Sequence, residues 1–482
     1  MRIWGLACIL LFEALVFAAP AGERLHILVS PFRNAGDPAH AWLSAGITDS
    51  AIADLSSLNN VAVISDEDRR TAMRELELVM AGLVPDDGAA RAGRMLGAHV
   101  VFTGSCAVAG PRVRIVTKLI RVETGAVEKS RRFDGSVDEI FEIEDRLVLG
   151  LIEDAGTLGV ENVIPVGVST ATEKTVRGGY RPAAGAWELY AQGRGRIETD
   201  PAGALALLTK AIEIDPSYAE ALMAAGFVAG SVLNRYDEGM ALTQRALALL
   251  EKQGDEAAGA RAEALMGLGR ISWRRGSNDD ALGYFARARA LYELRGLTAS
   301  EGYAKLLANT GNVYYAMGAK DEALDYYSRA RLAWERSGRG ETLPSAVFLM
   351  NAGNVYSVKG DHAKAAELFN KSREILERMK LGKGDSYARL MMNMGIAAFK
   401  AGAGTKAALG YCARAGRIWT DLKLADTADF AYLLEQTATF RYLDGAHAAA
   451  REDLARAASI YRSLGRADKA AEIEKSAADI AK

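Results

Sequence analysis

The sequence predicts an α/β domain with a mixed sheet followed by an all-helical superhelical array. Three observations carry that expectation. Short β-rich runs alternate with helical periods from Arg24 to about Ala155; a helical region from about Ala186 repeats itself at a fixed spacing; and the stretch between them, Gly156 to Pro182, gathers Gly, Thr, Val and Pro without sustained periodicity. The 482 residues are enough for at least two units that each bury a core.

In the first unit, Leu25 to Phe32 reads as a buried strand from its Leu, Ile and Val content. Trp42 to Leu58 then places Leu43, Ile47, Ile52 and Leu55 on one helical face, and Val61 to Ser65 is a second strand. Asp66 is expected to cap the helix "EDRRTAMRELELVM". A shorter helix, "DDGAARAGRMLGA", leads into His99 to Val108, and the tight turns "AGPR" and "ETGA" join three strands into an antiparallel meander. The amphipathic helix "VDEIFEIEDRLVLGLIEDA" closes the unit.

The order of these elements resembles the amino-terminal domain of TolB and the FlgO and CsgG-like exported domains. The phrases that carry the likeness are "ILVSPFRNAGDP", "LSAGITDSAIADLSSLNNVAVIS", "GAHVVFTGSCAVAGPRVRIVTKLIRVETGAV" and "DEIFEIEDRLV", over roughly residues 24 to 155. The resemblance implies a docking unit in the periplasm or at the outer membrane, with no catalytic residues to carry across. TolB continues into a β-propeller and this chain into helices; nor is there a pair of long alternating strands of the kind CsgG inserts into a membrane.

In the helical region, Gly269, Gly311, Gly353 and Gly395 stand forty-two residues apart, and each is followed after seven residues by Gly276, Gly318, Gly360 or Gly402. Ala281, Ala323, Ala365 and Ala407 form a third column, and Phe285, Tyr327, Phe369 and Tyr411 a fourth. The first glycine and the alanine lack bulk where two helices cross, the aromatic fills the space beside them, and the second glycine ends the first helix. The pattern resembles the tetratricopeptide repeat (TPR), with the longer period of the kinesin light chain and LGN subgroup, whose units carry an "N-x-G-N" phrase. Weaker units flank the four clear ones, for about seven in all. Arg414, where earlier units have Ala288, Ala330 and Ser372, predicts looser packing in the sixth. The boundaries expected are 1–21 for an export signal, 22–155 for the first domain, 156–184 for a linker, 185–465 for the repeats and 466–482 for a capping helix.

The export signal is read from Arg2, an apolar run from Ile3 to Ala18 and Ala19-Pro20-Ala21 before Gly22, which together predict cleavage after Ala21 and a periplasmic location; Glu13 within the run leaves an uncleaved anchor as the alternative. Two cysteines remain past it, Cys106 and Cys412, one in each module, so no disulfide framework is expected and both read as small buried hydrophobes.

Half the residues are hydrophobic and a quarter charged, and 59 basic against 61 acidic residues leave a formal charge of −2, so no broad cationic field invites nucleic acid. The histidines His26, His40, His99, His362 and His447 show no metal-ligand spacing. "GAGTKAA" lacks the Gly-Lys-Ser/Thr ending of a phosphate loop, and the Gly-x-Ser-x-Gly elbow is absent. No catalytic residues, cofactor, metal or small-molecule substrate are therefore expected.

What remains is recognition. The first helix of each unit lines the inner wall of such an array, and there the chain carries Asn309 and Asn312, Asn351 and Asn354, and Asn393. Residues three apart share a helical face, and an amide side chain can bond both polar groups of a peptide unit in an extended partner; bonds between neighbouring helices would use the same amides equally well. In the similar LGN-type repeats these asparagines are implied to hold a peptide backbone. Trp273, Tyr315 and Phe399, four residues after the first glycine, are candidate apolar contacts, with core packing the alternative. The function expected is a non-enzymatic envelope adaptor that binds a protein or peptide in the repeat groove while the first domain docks to an envelope component. The alternative is an outer-membrane assembly or secretion component acting through oligomers of the first domain.

Overall fold

The computed structural model describes residues 23–58, 60–79, 85–161 and 163–480. The expected export signal, 1–21, lies outside them, and among the described residues no helix is long and apolar enough to cross a membrane.

The first module runs β1 (Leu25–Val29), β2 (Arg33–Asn34), α1 (Ala41–Ser56), β3 (Val61–Val63), α2 (Asp66–Val79), α3 (Pro85–Met95), β4 (Val100–Ala109), β5 (Arg112–Arg121), β6 (Val127–Ser136) and α4 (Ile140–Gly156). The sheet order is β3-β1-β4-β5-β6, with β2 beside β4; β1 pairs in parallel with β3 and β4, and β4, β5 and β6 form the antiparallel meander. The sheet is therefore mixed, as the sequence predicts. Asp66 does not cap α2. Ser65 Oγ accepts the Asp68 N–H at 3.2 Å, while the Asp66 carboxylate is taken by Arg69, Arg70 and Arg194.

Both faces of the sheet are covered, because side chains alternate across it. Leu25, Ile27 and Val29 share one core with α1 and α4, and Leu28, Val101 and Ile120 share the other with α2 and α3. Residues 156–184 pack along the first core through Val166 and Val176, the latter on the short helix α5 (Thr170–Arg177).

Seven antiparallel helix pairs follow: α6 (Ala184–Arg196) with α7 (Pro201–Ile214), α8 (Ala219–Phe227) with α9 (Tyr236–Lys252), α10 (Ala258–Arg275) with α11 (Asn278–Leu294), α12 (Glu301–Ala316) with α13 (Lys320–Arg336), α14 (Leu343–Lys359) with α15 (His362–Arg378), α16 (Asp385–Lys400) with α17 (Gly404–Asp421), and α18 (Ala428–Leu443) with α19 (His447–Ser463). α20 (Ala467–Asp479) ends the described chain. The glycine columns act as their mechanics predict. A methyl group at Gly353 would stand 2.6 Å from the Phe369 ring, and one at Gly311 2.7 Å from Tyr327. Gly276, Gly318, Gly360 and Gly402 take φ between 82° and 90°, the left-handed geometry that ends a helix.

The sixth pair corrects the column assignment. Ala408, Cys412 and Ala415 are at most 2 % exposed, whereas Ala407 and Tyr411 are half-buried and Arg414 is exposed, its guanidinium 5.0 Å over the Tyr387 ring. A second left-handed glycine, Gly404, opens α17, the inward positions of that helix fall one residue later than in the earlier pairs, and the expected loose packing is absent. Both cysteines are buried free thiols, pushed up to about 12 for Cys106 and about 11 for Cys412 by burial, which keeps them protonated and unreactive.

Candidate functional site

The five asparagines divide into two kinds. Asn312 Oδ1 accepts the hydroxyl of Tyr327 at 2.6 Å, within its own helix pair. Tyr327 belongs to the aromatic column, and Phe369 stands in its place beside Asn354, with no hydroxyl to give. Asn309, Asn351, Asn354 and Asn393 are half-buried, and among the described residues no hydrogen bond engages their side chains. Trp273 lies half-buried against the array core, and Phe399 packs on Phe440 with ring centroids 4.9 Å apart; Tyr315 is 37 % exposed.

The first module meets the array one helical turn before these asparagines. Lys305, four residues before Asn309 on α12, bonds Asp68 and, at 2.7 Å, Ser65 Oγ at the start of α2. Glu75, two turns further along α2, accepts the main-chain N–H groups of Asp385 at 3.1 Å and Ser386 at 2.8 Å at the start of α16. Between them Arg339, only 2 % exposed, donates to the Leu96 carbonyl and pairs with Glu301. Arg194 of α6 joins Asp49 of α1 at 2.8 Å and Asp66 at the start of α2 at 2.8 Å, and the Trp187 indole covers Gly46 of α1, with its N–H 3.3 Å from Ser50 Oγ. Burial alone would raise the Asp66 carboxyl; the surrounding Arg194, Arg69 and Arg70 hold it well below its usual range. The two modules thus share cores and buried ion pairs, which sequence reasoning missed because the partners stand more than a hundred residues apart.

Two histidines that the sequence keeps 73 residues apart are stacked by the parallel pairing of β1 and β4. His26 and His99 lie with ring centroids 5.1 Å apart and planes 2° apart, and Glu23 Oε1 is 3.5 Å from His26 Nδ1. Glu23, His26 and His99 are the group of described residues whose ligand atoms are close enough for one metal ion. The surroundings argue against one. His99 Nδ1 already accepts the main-chain N–H of His26 at 3.0 Å, which leaves the ring's hydrogen on Nε2, the atom facing Glu23, and the buried Arg339 guanidinium beside the cluster already supplies positive charge. Burial, then Arg339, push His26 down to about 3, and burial raises Glu23, so the cluster is a neutral-histidine contact between the modules.

Residues 261–336 and 302–378 match the tetratricopeptide repeat family. A curated relative, putative adenylate cyclase 3 of Rhizobium meliloti (strain 1021), is 27 % identical over 265 residues, and the match covers 52 % of this chain and 40 % of that protein. Among solved structures, the apo form of RapI aligns at 14 % identity with a TM-score of 0.47, over 58 % of this chain and 99 % of that one. A putative kinesin light chain of Podosopora anserina aligns at 15 % identity with a TM-score of 0.37, over 43 % and 97 %. The residues matched by the family model lie within the helical region. The paired helices, the glycine and aromatic columns and the matched residues together make the helical region a tetratricopeptide repeat array.

Proposed function

We propose that the chain is a non-enzymatic adaptor whose repeat array holds an extended protein or peptide segment along Asn309, Asn351, Asn354 and Asn393. The single observation that carries this is the four amides themselves: half-buried, on repeating faces, and without a hydrogen-bond partner among the described residues. With no internal bond, these amide atoms reach solvent and can exchange water for the alternating N–H and C=O of a peptide backbone. Tyr315, exposed three residues past Asn312 on α12, adds an apolar contact. The first module, braced against the helix ends beside this stripe, orients the array, and the apolar run after Arg2 supports export to the periplasm, where the first module would dock to an envelope component.

The test replaces Asn309, Asn351, Asn354 and Asn393 together with alanine and compares partner crosslinking in envelope extracts with that of the unaltered chain. Loss of a specific crosslinked partner with unchanged helical circular dichroism is expected. Undiminished crosslinking to the same partner overturns the proposal.

A further inference from the structure

A cavity of about 70 Å³ lies where α1, α4, the segment around residues 176–182 and the first two repeat pairs meet, away from the asparagine stripe. Its walls carry two kinds of side chain that rarely share a small space. The first are aromatic rings: Phe141 against Trp187 with centroids 5.4 Å apart, and Tyr218 between Tyr190 at 4.9 Å and Tyr180 at 6.2 Å. The second are carboxyl groups. Asp49 and Asp145 of this lining are engaged, the one by Arg194 and the other by Arg181. Asp54, Glu144 and Glu220 have no ion pair among the described residues. Glu144 is 5 % exposed, and its Oε1 has no hydrogen-bond partner; Glu220 Oε2 is likewise buried and unpartnered.

Ring faces and carboxylates attract the same kind of ligand, a cation. A ring's quadrupole presents negative charge on its face, and a charged N–H donor satisfies a buried carboxylate. A hard metal ion is a poor fit, because it needs several oxygens converging on one point and no three of these carboxyl groups come that close among the described residues. A compact organic cation instead spreads its contacts over rings and acids at different sides of the cavity.

We propose that this cavity binds the ammonium head of a small organic amine between the aromatic rings and the carboxylates of Asp54, Glu144 and Glu220. Tyr180 and Arg181 form part of the wall, and Arg181 is ion-paired with Asp145, while Asp54, Glu144 and Glu220 have no such partner among the described residues. Burial raises all three carboxyl groups and so favours their protonated forms in the absence of amine. Burial, then Asp145 and Glu220 set against Arg181, push Asp54 up to about 7, and burial with the neighbouring Asp54 raises Glu144. Amine entry therefore expels protons to solvent, one for each acid that ionises.

Isothermal titration of the full chain with putrescine, in amine-free buffers of different ionisation enthalpy, tests this. One-to-one binding with proton release, saturating at or below ~1 mM and tightening from pH 6 to pH 8, is the expected result. Glu144→Gln should weaken it by about tenfold or more. Should that variant lose its fold, Tyr180→Ala, on the exposed segment, is expected to weaken it by at least about threefold. Nα-acetyl-lysine methylamide in a parallel titration separates the two sources of an ammonium head: putrescine bound more tightly marks a free amine, the lysine compound bound more tightly a side chain presented by a protein. Absence of saturable heat with both compounds, or equal affinity in the folded variants, overturns the proposal. Because the asparagine stripe lies elsewhere, either result leaves the peptide test standing.

Discussion

The carboxylate of Glu75 caps a helix 310 residues away. It accepts the N–H groups of Asp385 and Ser386 and the Ser386 hydroxyl, the last at 2.5 Å. In the neighbouring repeats the residue at the helix start does this for itself: Ser300 bonds the Tyr303 N–H, Thr342 the Ser345 N–H and Thr427 the Phe430 N–H. At the matching place stands Gly384, with no side chain, and a Cβ there would run into the Glu75 carboxylate. In this unit the array gives up its own side-chain cap, and the first module supplies one.

Glu75→Ala should therefore destabilise the chain by about 1–2 kcal/mol and speed hydrogen exchange at both α2 and the start of α16. Gly384→Ser alone should also be harmful, since its side chain meets Glu75. Combined, the two changes should recover part of the loss. Additive losses in chemical denaturation would show that the two positions are not coupled.

Asn312→Ala removes the partner of the buried Tyr327 hydroxyl and should cost about 1–2 kcal/mol, while Asn354→Ala, which faces no hydroxyl, should stay within about 0.5 kcal/mol. Thermal unfolding of the two single variants separates the structural amide from the available ones.

Lys380 and Lys423 hold φ near 58° where the equivalent turns use Gly296, Gly338 and Gly465. A side chain there is strained, so Lys423→Gly should stabilise by roughly 0.5–1 kcal/mol. A fall in the urea midpoint would refute this.

Gly353→Ala sets a methyl group against the Phe369 ring and should cost about 1–3 kcal/mol, with Phe369→Leu in the same chain relieving part of it. Differential scanning calorimetry of the single and double variants reads the relief directly.

Asp54 carries a pH signature. Its folded value, about 7, lies above the usual 3.8, so its contribution is fully present below about 3.8 and lost as pH rises through 7, where a buried carboxyl must ionise. Asp54→Asn stays neutral. In amine-free phosphate it should match the unaltered chain near pH 4 and exceed it at pH 8 by on the order of 2–4 kcal/mol. Equal stability at both values would contradict the shift.

The repeat array was legible in the sequence because its contacts are local. Gly311 packs on Tyr327 sixteen residues on, and each later unit must reproduce that crossing in order to stack, so the requirement is written at a fixed period. The strands of the first module were legible for a similar reason: alternation and tight turns are local properties. The one-residue slip at Gly404 was not, since forty-two and forty-three differ by less than the columns can resolve until burial shows that Cys412, and not Tyr411, points inward.

By itself, then, the sequence determined a mixed-sheet domain, a stacked helical array and a line of asparagines along it. The tertiary structure alone decided that Asn312 is spoken for, that Glu75 caps α16, that His26 and His99 stack, and that Asp54, Glu144 and Glu220 share one aromatic-walled cavity. The physical reason is separation along the chain. A periodic contact leaves its trace in every unit, whereas a contact made once leaves at most an isolated departure such as Gly384, whose meaning depends on what stands opposite it.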